Sequence, residues 1–201
     1  MSVETGTEAM LTRRREILVQ GAQPIGWKVG FNVPELQRKL GIDAPLAGFL
    51  TTDSLIEGEW DEYPVVVESE VAVEIGDDGR SIVALLPALE LADPPDLNLE
   101  IEQILAGNIF HRAVVFGPRV ETTEAGAGRI LVNGEEQHSV KAEGLERMVE
   151  AVAARLEAAG EELRSGDRII TGVLAPPHEA QAGDTVRLEL EALGGVELRF
   201  T

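Results

Sequence analysis

Hydrophobic positions alternate with polar ones in some stretches of the chain and follow a helical period in others. From Pro64 to Ile75 an otherwise apolar run reads as a strand, with Val67, Val71, Val73 and Ile75 on one face. Glu68, Glu70, Ala72 and Glu74 share the other face, because side chains two apart on a strand leave on the same side. A second strand is predicted from Ile82 to Leu91, joined to the first across Gly76-Asp-Asp-Gly79. Gly26-Trp-Lys-Val-Gly-Phe31 also alternates, with Trp27, Val29 and Phe31 on one face. Lys28 lies between Gly26 and Gly30 on the other, in space that the glycines clear. Asn32-Val-Pro-Glu35 then supplies an N-cap, an early proline and a capping-box glutamate for a short helix that Gly41 ends.

Helical spacing appears from about Glu8 to Gly21, with Met10, Leu11, Ile17 and Leu18 as a partial apolar face. A helix from about Asp96 to Ala106 stops at Gly107-Asn108, and Ile109 to Phe116 reads as a buried strand. Asn133-Gly134 favours a type I′ hairpin that sets Ile130 to Val132 against the residues leading to Val140. The longest helix is predicted from about Ala142 to Leu163, with a core-facing stripe of Leu145, Met148, Val149, Val152, Leu156 and Leu163. Gly166-Asp167 and Gly183-Asp184 each launch a strand, Arg168 to Thr171 and Thr185 to Leu190. The sum is a strand-rich α+β chain with about three flanking helices: a short N-terminal helical cover over residues 1–25 and one compact domain over residues 26–201.

A chain of 201 residues with 44% hydrophobic content can bury a full core. The formal net charge of -19 argues against nucleic acid or an anionic membrane as partner. With no cysteine, disulfides, thiolate metal sites and cysteine nucleophiles are excluded. No apolar run approaches a membrane span, and the first residues lack a basic start and an apolar signal core, so a cytoplasmic protein is expected.

Candidate chemistry starts with Glu68 and Glu70. Two adjacent carboxylates in an apolar setting repel and lose hydration, at a cost of several kcal/mol unless a cation or proton compensates them. Two readings follow: a hard divalent cation, or an edge strand whose glutamates face water. Glu90, between Leu89 and Leu91 and sharing its face with Ala88 and Ala92, also needs a partner. It is either a ligand in the same site or a buried protonated or salt-bridged glutamate. Of the three histidines, His138 and His178 read as hairpin surface and loop. No nucleophile elbow, dinucleotide fingerprint or P-loop is present.

In their order along residues 26 to 200, several of these segments resemble a known family. They are Gly26-Trp-Lys-Val-Gly30, Leu40-Gly-Ile-Asp-Ala-Pro45, Glu68-Ser-Glu70, Pro87-Ala-Leu-Glu-Leu-Ala-Asp93, Ser165-Gly-Asp-Arg-Ile-Ile-Thr-Gly172 and the Gly183-Asp184 strand. The chain resembles the 2-keto-4-pentenoate hydratase and 4-oxalocrotonate decarboxylase branch of the fumarylacetoacetase-like superfamily. The resemblance implies a mixed β-roll with flanking helices, a homo-oligomer, and a Mg²⁺ or Mn²⁺ site made by Glu68, Glu70 and Glu90. It also implies that Lys28 contacts a small anionic 2-oxo acid or 2-hydroxydienoate. The expected activity is that of a metal-dependent lyase, hydratase or decarboxylase in type, working through an enolate. The alternatives are an acylpyruvate hydrolase or oxaloacetate decarboxylase, and a member that has lost catalysis and serves as a subunit or binding module.

Three departures bear on that expectation, and on hydration most of all. Leu46-Ala47 stands where the family usually has an acidic residue, and Asn108-Ile-Phe-His111 replaces a small polar segment. His138-Ser-Val-Lys-Ala-Glu143 replaces a glycine-rich stretch. His111 either supplies the proton transfer that the missing acid no longer can, or is a structural histidine in a strand.

Overall fold

The structure is a computed structural model that describes residues 2–201. Helix α1 (Val3–Val19) is followed by β1 (Pro24–Gly30), α2 (Pro34–Leu40), β2 (Leu46–Thr51), β3 (Glu59–Trp60), β4 (Val66–Ile75) and β5 (Ile82–Ala92). Then come α3 (Ile101–Ala106), β6 (His111–Phe116), the hairpin of β7 (Ala127–Val132) and β8 (Glu135–Lys141), and α4 (Leu145–Ala158). The chain closes with β9 (Arg168–Ile170), β10 (His178–Glu179), β11 (Thr185–Leu190) and β12 (Gly194–Phe200). One sheet has the order β2-β1-β9-β4-β5-β6, with β10 paired to β4, and the second has the order β3-β12-β11-β7-β8. β1 runs parallel to β9 and β3 parallel to β12, and the other ladders are antiparallel. The fold is strand-rich α+β, as the alternation predicts, and it is the mixed β-roll that the resemblance implies.

β4 and β5 form the long central hairpin. Val67, Val71, Val73 and Ile75 pack with Leu85, Leu89 and Leu91, with Leu188 and Leu198 of the second sheet, and with Met148, Val152 and Leu156 of α4. This face makes the main core. The opposite face carries a smaller cluster of Leu50, Ala72, Leu86, Ala88, Val114 and Ile170. Its glutamates do not belong to an edge strand, because β4 lies between β9 and β5.

Several boundaries differ from expectation for identifiable reasons. α1 starts at Val3 rather than near Glu8, because the Ser2 hydroxyl accepts from the Thr5 N–H and caps a polar first turn that has no apolar period. α2 starts at Pro34 without the Asn32 cap; the Asn32 amide donates to the Val173 carbonyl instead. The helix expected from Asp96 begins only at Ile101, since Asp96 folds its carboxylate onto the Asn98 N–H in an Asx turn and Gln103 accepts from the Glu100 N–H. α4 is bounded by Gly144 and Gly160, both left-handed, so Leu163 is buried beyond its end. Asn133 and Gly134 have φ of 54° and 80°, as a type I′ turn requires. Strands β2, β3, β10 and β12 are additions to the predicted set. No helix among the described residues is long and apolar enough to cross a membrane.

α1 crosses α3 closely at Gly6, where a Cβ would lie 2.8 Å from Leu105 Cβ and 2.9 Å from Glu102 Cα. In an open helix Gly→Ala would gain up to about 1 kcal/mol. Here Gly6→Ala should instead lower stability by about 1–3 kcal/mol, the typical cost of overpacking, as read by urea unfolding.

Candidate metal and substrate site

The β4–β5 register sets Glu68 directly opposite Glu90 and Glu70 opposite Ala88. β1 reaches the same face through β9, where Lys28 pairs with Ile170, which in turn pairs with Ala72 of β4. A carboxylate oxygen from each of Glu68, Glu70 and Glu90 lies within 4.8 Å of the others. Glu70 and Glu90 are fully buried, and Lys28 is 2% exposed. Lys28 Nζ forms a buried ion pair with Glu90 Oε1 and donates to the Ile109 carbonyl at 3.1 Å. All four residues singled out for metal and substrate contact therefore meet at one place.

The glycines beside Lys28 serve a purpose other than the one expected. A Cβ at Gly26 would lie 2.0 Å from the Arg168 carbonyl oxygen, and one at Gly30 would lie 2.6 Å from Ile109 Cγ2. They admit β9 and Ile109, not the lysine. Room for Lys28 comes from its cross-strand partner Gly48, whose Cβ would meet Lys28 Cγ at 2.8 Å. Phe31 likewise leaves the Trp27 and Val29 face. With φ of 57° it turns into a cluster with Leu46, Ile104 and Ile109.

Three successive residues, Asn108, Ile109 and Phe110, have φ of 60°, 53° and 62°. Each such residue costs about 1–2 kcal/mol, so this turn persists because its surroundings hold it. The Asn108 amide does so by accepting from the Phe49 N–H at 2.8 Å and donating to the Phe49 carbonyl at 3.0 Å. The turn aims the Ile109 carbonyl at Lys28 and delays β6 to His111. His111 Nδ1 is 2.7 Å from Glu90 Oε1 and its Nε2 is 3.1 Å from Ser54 Oγ. It supports Glu90 from outside the adjacent cavity, whose wall it does not join. Leu46 and Ala47 are buried and also lie off that wall.

The cavity encloses about 460 Å³, and Lys28 and Glu68 line it together with Phe31, Phe110 and Leu174. Sequence reasoning missed Gly48, Ser54, Asn108 and the Gly172 N–H, which donates to Glu70 Oε2 at 2.6 Å. Only Asn108 and Gly172 carry a local signal, as the residues that end a predicted helix and a predicted strand.

Burial pushes the Glu68 carboxyl up to about 7, with the Glu90 charge adding to the effect and Lys28 opposing it. Burial, then the charges of Glu90 and Glu68, raise Glu70 well above the carboxylate range. For Glu90 burial acts in the same sense, but the Lys28 ammonium and the His111 hydrogen bond outweigh it and hold the group below its ordinary value. Burial by itself would lower Lys28, yet its three acidic neighbours keep it raised and charged. When all four groups are ionised, three negative charges face one positive, which leaves two uncompensated. Glu70 Oε1 and Glu90 Oε2 are buried with no hydrogen-bond partner. An oxygen-only donor set with orphaned atoms and a double negative charge fits a hard divalent cation. Ligands on one such ion at about 2.1 Å lie up to about 4.2 Å apart, so a small rotation of the carboxylates closes the set.

A pH dependence follows for protein stripped of divalent ions. A carboxyl raised from 4.5 to about 7 keeps a proton in the folded state that the unfolded chain has released, so stability falls as pH rises through that window. Glu68 alone accounts for about 3 kcal/mol, and Glu70 acts in the same direction. Melting in a chelator should therefore show a decline from pH 4.5 to 7 that Glu68→Gln flattens. An equal decline in both proteins would assign it to Glu70 or to the overall negative charge and not to Glu68.

Residues 49–201 match the family described as fumarylacetoacetate (FAA) hydrolase C-terminal. The chain belongs to that family. It is 29% identical to a hydratase of Pseudomonas putida, named TodF product hydratase, over 91% of this chain and 78% of the relative. It is 26% identical to 2-keto-4-pentenoate hydratase of Burkholderia vietnamiensis, over 90% of this chain and 79% of that protein. The fold is shared with 4-oxalocrotonate decarboxylase of Pseudomonas putida G7 complexed with magnesium and adipate, with a TM-score of 0.89 at 19% identity, covering 100% of this chain and 87% of that one.

Proposed function

We propose that this chain is a metal-dependent enzyme acting on a small 2-oxo acid or 2-hydroxydienoate through its enolate, a lyase of hydratase or decarboxylase type. One observation carries the proposal: three carboxylates converge within 4.8 Å, two of them with unpartnered buried oxygens, beside a buried lysine at the wall of a cavity. The family membership and the hydratases among the relatives support it. Glu68, Glu70 and Glu90 would hold Mg²⁺ or Mn²⁺, and the ion would supply Lewis acidity to a 2-oxo acid.

The chain's own groups divide the remaining work. Lys28 uses Glu90 and the Ile109 carbonyl to fix its ammonium, and its remaining N–H is free to meet an anionic oxygen in the cavity. As negative charge moves onto the 2-oxygen during enolate formation, a fixed ammonium stabilises it without reorganising. His111 positions Glu90 through Nδ1 and is not among the residues that line the cavity. The Gly172 N–H orients Glu70 in the same way. The apolar walls exclude water from the reacting atoms.

The test is turnover of a panel of 2-hydroxydienoates, oxaloacetate and acylpyruvates, followed by ultraviolet absorbance with Mg²⁺, with Mn²⁺ and with chelator. Metal-dependent loss of one substrate class is expected. A chain that gains thermal stability from the ion yet turns over none of them would be a binding module.

A further inference from the structure

Taking that reading of the site as its basis, we infer that the acid accepted here has one carboxylate and an uncharged, apolar tail, and that the cavity turns away a second carboxylate at the end of the tail. The charged side chains lining the cavity are Lys28, Glu68 and Asp93. Lys28 and Glu68 belong to the end where the carboxylates converge, so the surface left for a tail carries one charged group, and that group is an anion. The remainder of that surface is built mainly from Phe31, Val33, Leu97, Phe110, Leu174 and Pro177, with Asn32 as its neutral polar side chain. No arginine, histidine or second lysine lines it among the described residues.

The cation nearest in kind is Arg112, which stands 3.6 Å from Asp93. It pairs with Asp93 and with Glu62 and lies over the ring of Trp60, so it offsets the Asp93 charge from outside and does not itself line the cavity. A carboxylate at the tail end would shed its hydration against aromatic and aliphatic groups with no cation on the wall to receive it, the neutral Asn32 amide being the polar side chain there besides Asp93. An alkyl or alkenyl tail meets no such cost. Three of the apolar residues lining the cavity, Phe31, Ile109 and Phe110, are held in left-handed backbone conformations, so this wall is built at the expense of local strain. The magnesium-bound decarboxylase carries the dicarboxylate adipate. By this inference the two chains share a fold and part at the tail end of the cavity. Loss of a distal carboxylate as carbon dioxide requires that carboxylate in the cavity, so the chemistry left open lies at the enol itself.

Isothermal titration with Mg²⁺ present tests this without turnover, using 2-oxohexanoate, its ω-carboxylate counterpart 2-oxoadipate of equal chain length, and oxalate as a ligand with no tail. 2-Oxohexanoate should bind at least about tenfold more tightly than 2-oxoadipate. Equal or tighter binding of 2-oxoadipate, with oxalate bound normally, overturns the inference and leaves the proposed metal and oxo-acid chemistry intact. Failure of oxalate to bind at any Mg²⁺ concentration overturns that chemistry, and the inference with it. Leu97→Arg, in a turn outside the core, places a cation on the tail wall. It should bring 2-oxoadipate level with or ahead of 2-oxohexanoate while oxalate affinity stays unchanged. Undiminished preference for 2-oxohexanoate in the folded variant would remove Leu97 from the tail wall and count against the inference.

Discussion

Glu70→Gln is expected to abolish the stabilisation that the proposed site predicts for Mg²⁺ or Mn²⁺ in the wild-type protein, and to lower metal-dependent turnover by at least about a hundredfold. Glu70 is fully buried, spends one oxygen on the Gly172 N–H and leaves the other without a partner. The amide has nearly the same shape. It must either turn its NH₂ toward Gly172, setting two donors against each other, or present that NH₂ where a cation needs an oxygen. Ion at a hundred times its Kd stabilises the native state by about 2.7 kcal/mol, about 5–10 °C in a domain of this size. Without the ion the sign reverses. Burial and two neighbouring carboxylates hold the Glu70 carboxyl far above its ordinary value, so a neutral amide relieves repulsion and the metal-free variant should melt at or above wild type near pH 7.5. A metal-induced shift that survives in Glu70→Gln would place the ion elsewhere on a surface whose chain carries a net charge of -19.

The carboxylates were legible because a strand repeats every two residues. That period alone puts Glu68 and Glu70 on one face, and an isolated acid between Leu89 and Leu91 marks Glu90 as a buried charge. The turn at Gly76 to Gly79 then joins the two strands as a hairpin, which brings Glu68 opposite Glu90. Lys28 was legible from its own strand as a residue facing cleared space, and its approach to the carboxylates was expected, but the pairing that brings it to Glu90 was not. Its place depends on β9, inserted between β1 and β4 from about 140 residues further along, and no local pattern encodes that pairing.

The turn at Asn108 to Phe110 was illegible for a different reason. Isoleucine and phenylalanine disfavour positive φ, and their local preference is the extended strand that the sequence suggests. Asn108 overrides that preference through two hydrogen bonds to Phe49, a residue 59 positions away. The place of His111 depends on the same turn. The sequence left it two roles, proton transfer in place of a missing acid or a structural histidine in a strand; the fold sets its imidazole between Glu90 and Ser54, which suits the proposed positioning role. Of the strands that were missed, β2 is apolar up to Thr51, so alternation does not announce it, and β3 and β10 are two residues long; β12 does alternate, from Val196 to Phe200, and was legible.

Lys28→Met has the second large effect, and it separates two roles that one side chain combines. Removing one partner of a buried ion pair leaves the other uncompensated, typically at a cost of 3–5 kcal/mol, and here Glu90 would face Glu68 and Glu70 with no ammonium between them. Part of that cost is escaped by protonation, so the loss in metal-free protein should be smallest at low pH and grow toward neutrality. A divalent ion supplies the missing charge, and the metal-induced rise in melting temperature should therefore be larger in Lys28→Met than in wild type. Methionine fills nearly the same volume beside Gly48, which keeps packing out of the comparison. Substrate contact is then read separately with oxalate in saturating Mg²⁺. Loss of one charge-assisted hydrogen bond of about 1.5–3 kcal/mol predicts about 10- to 100-fold weaker oxalate binding. Oxalate bound equally by both proteins would leave Lys28 with the structural half of its role, as the counter-charge that lets three carboxylates fold into one place.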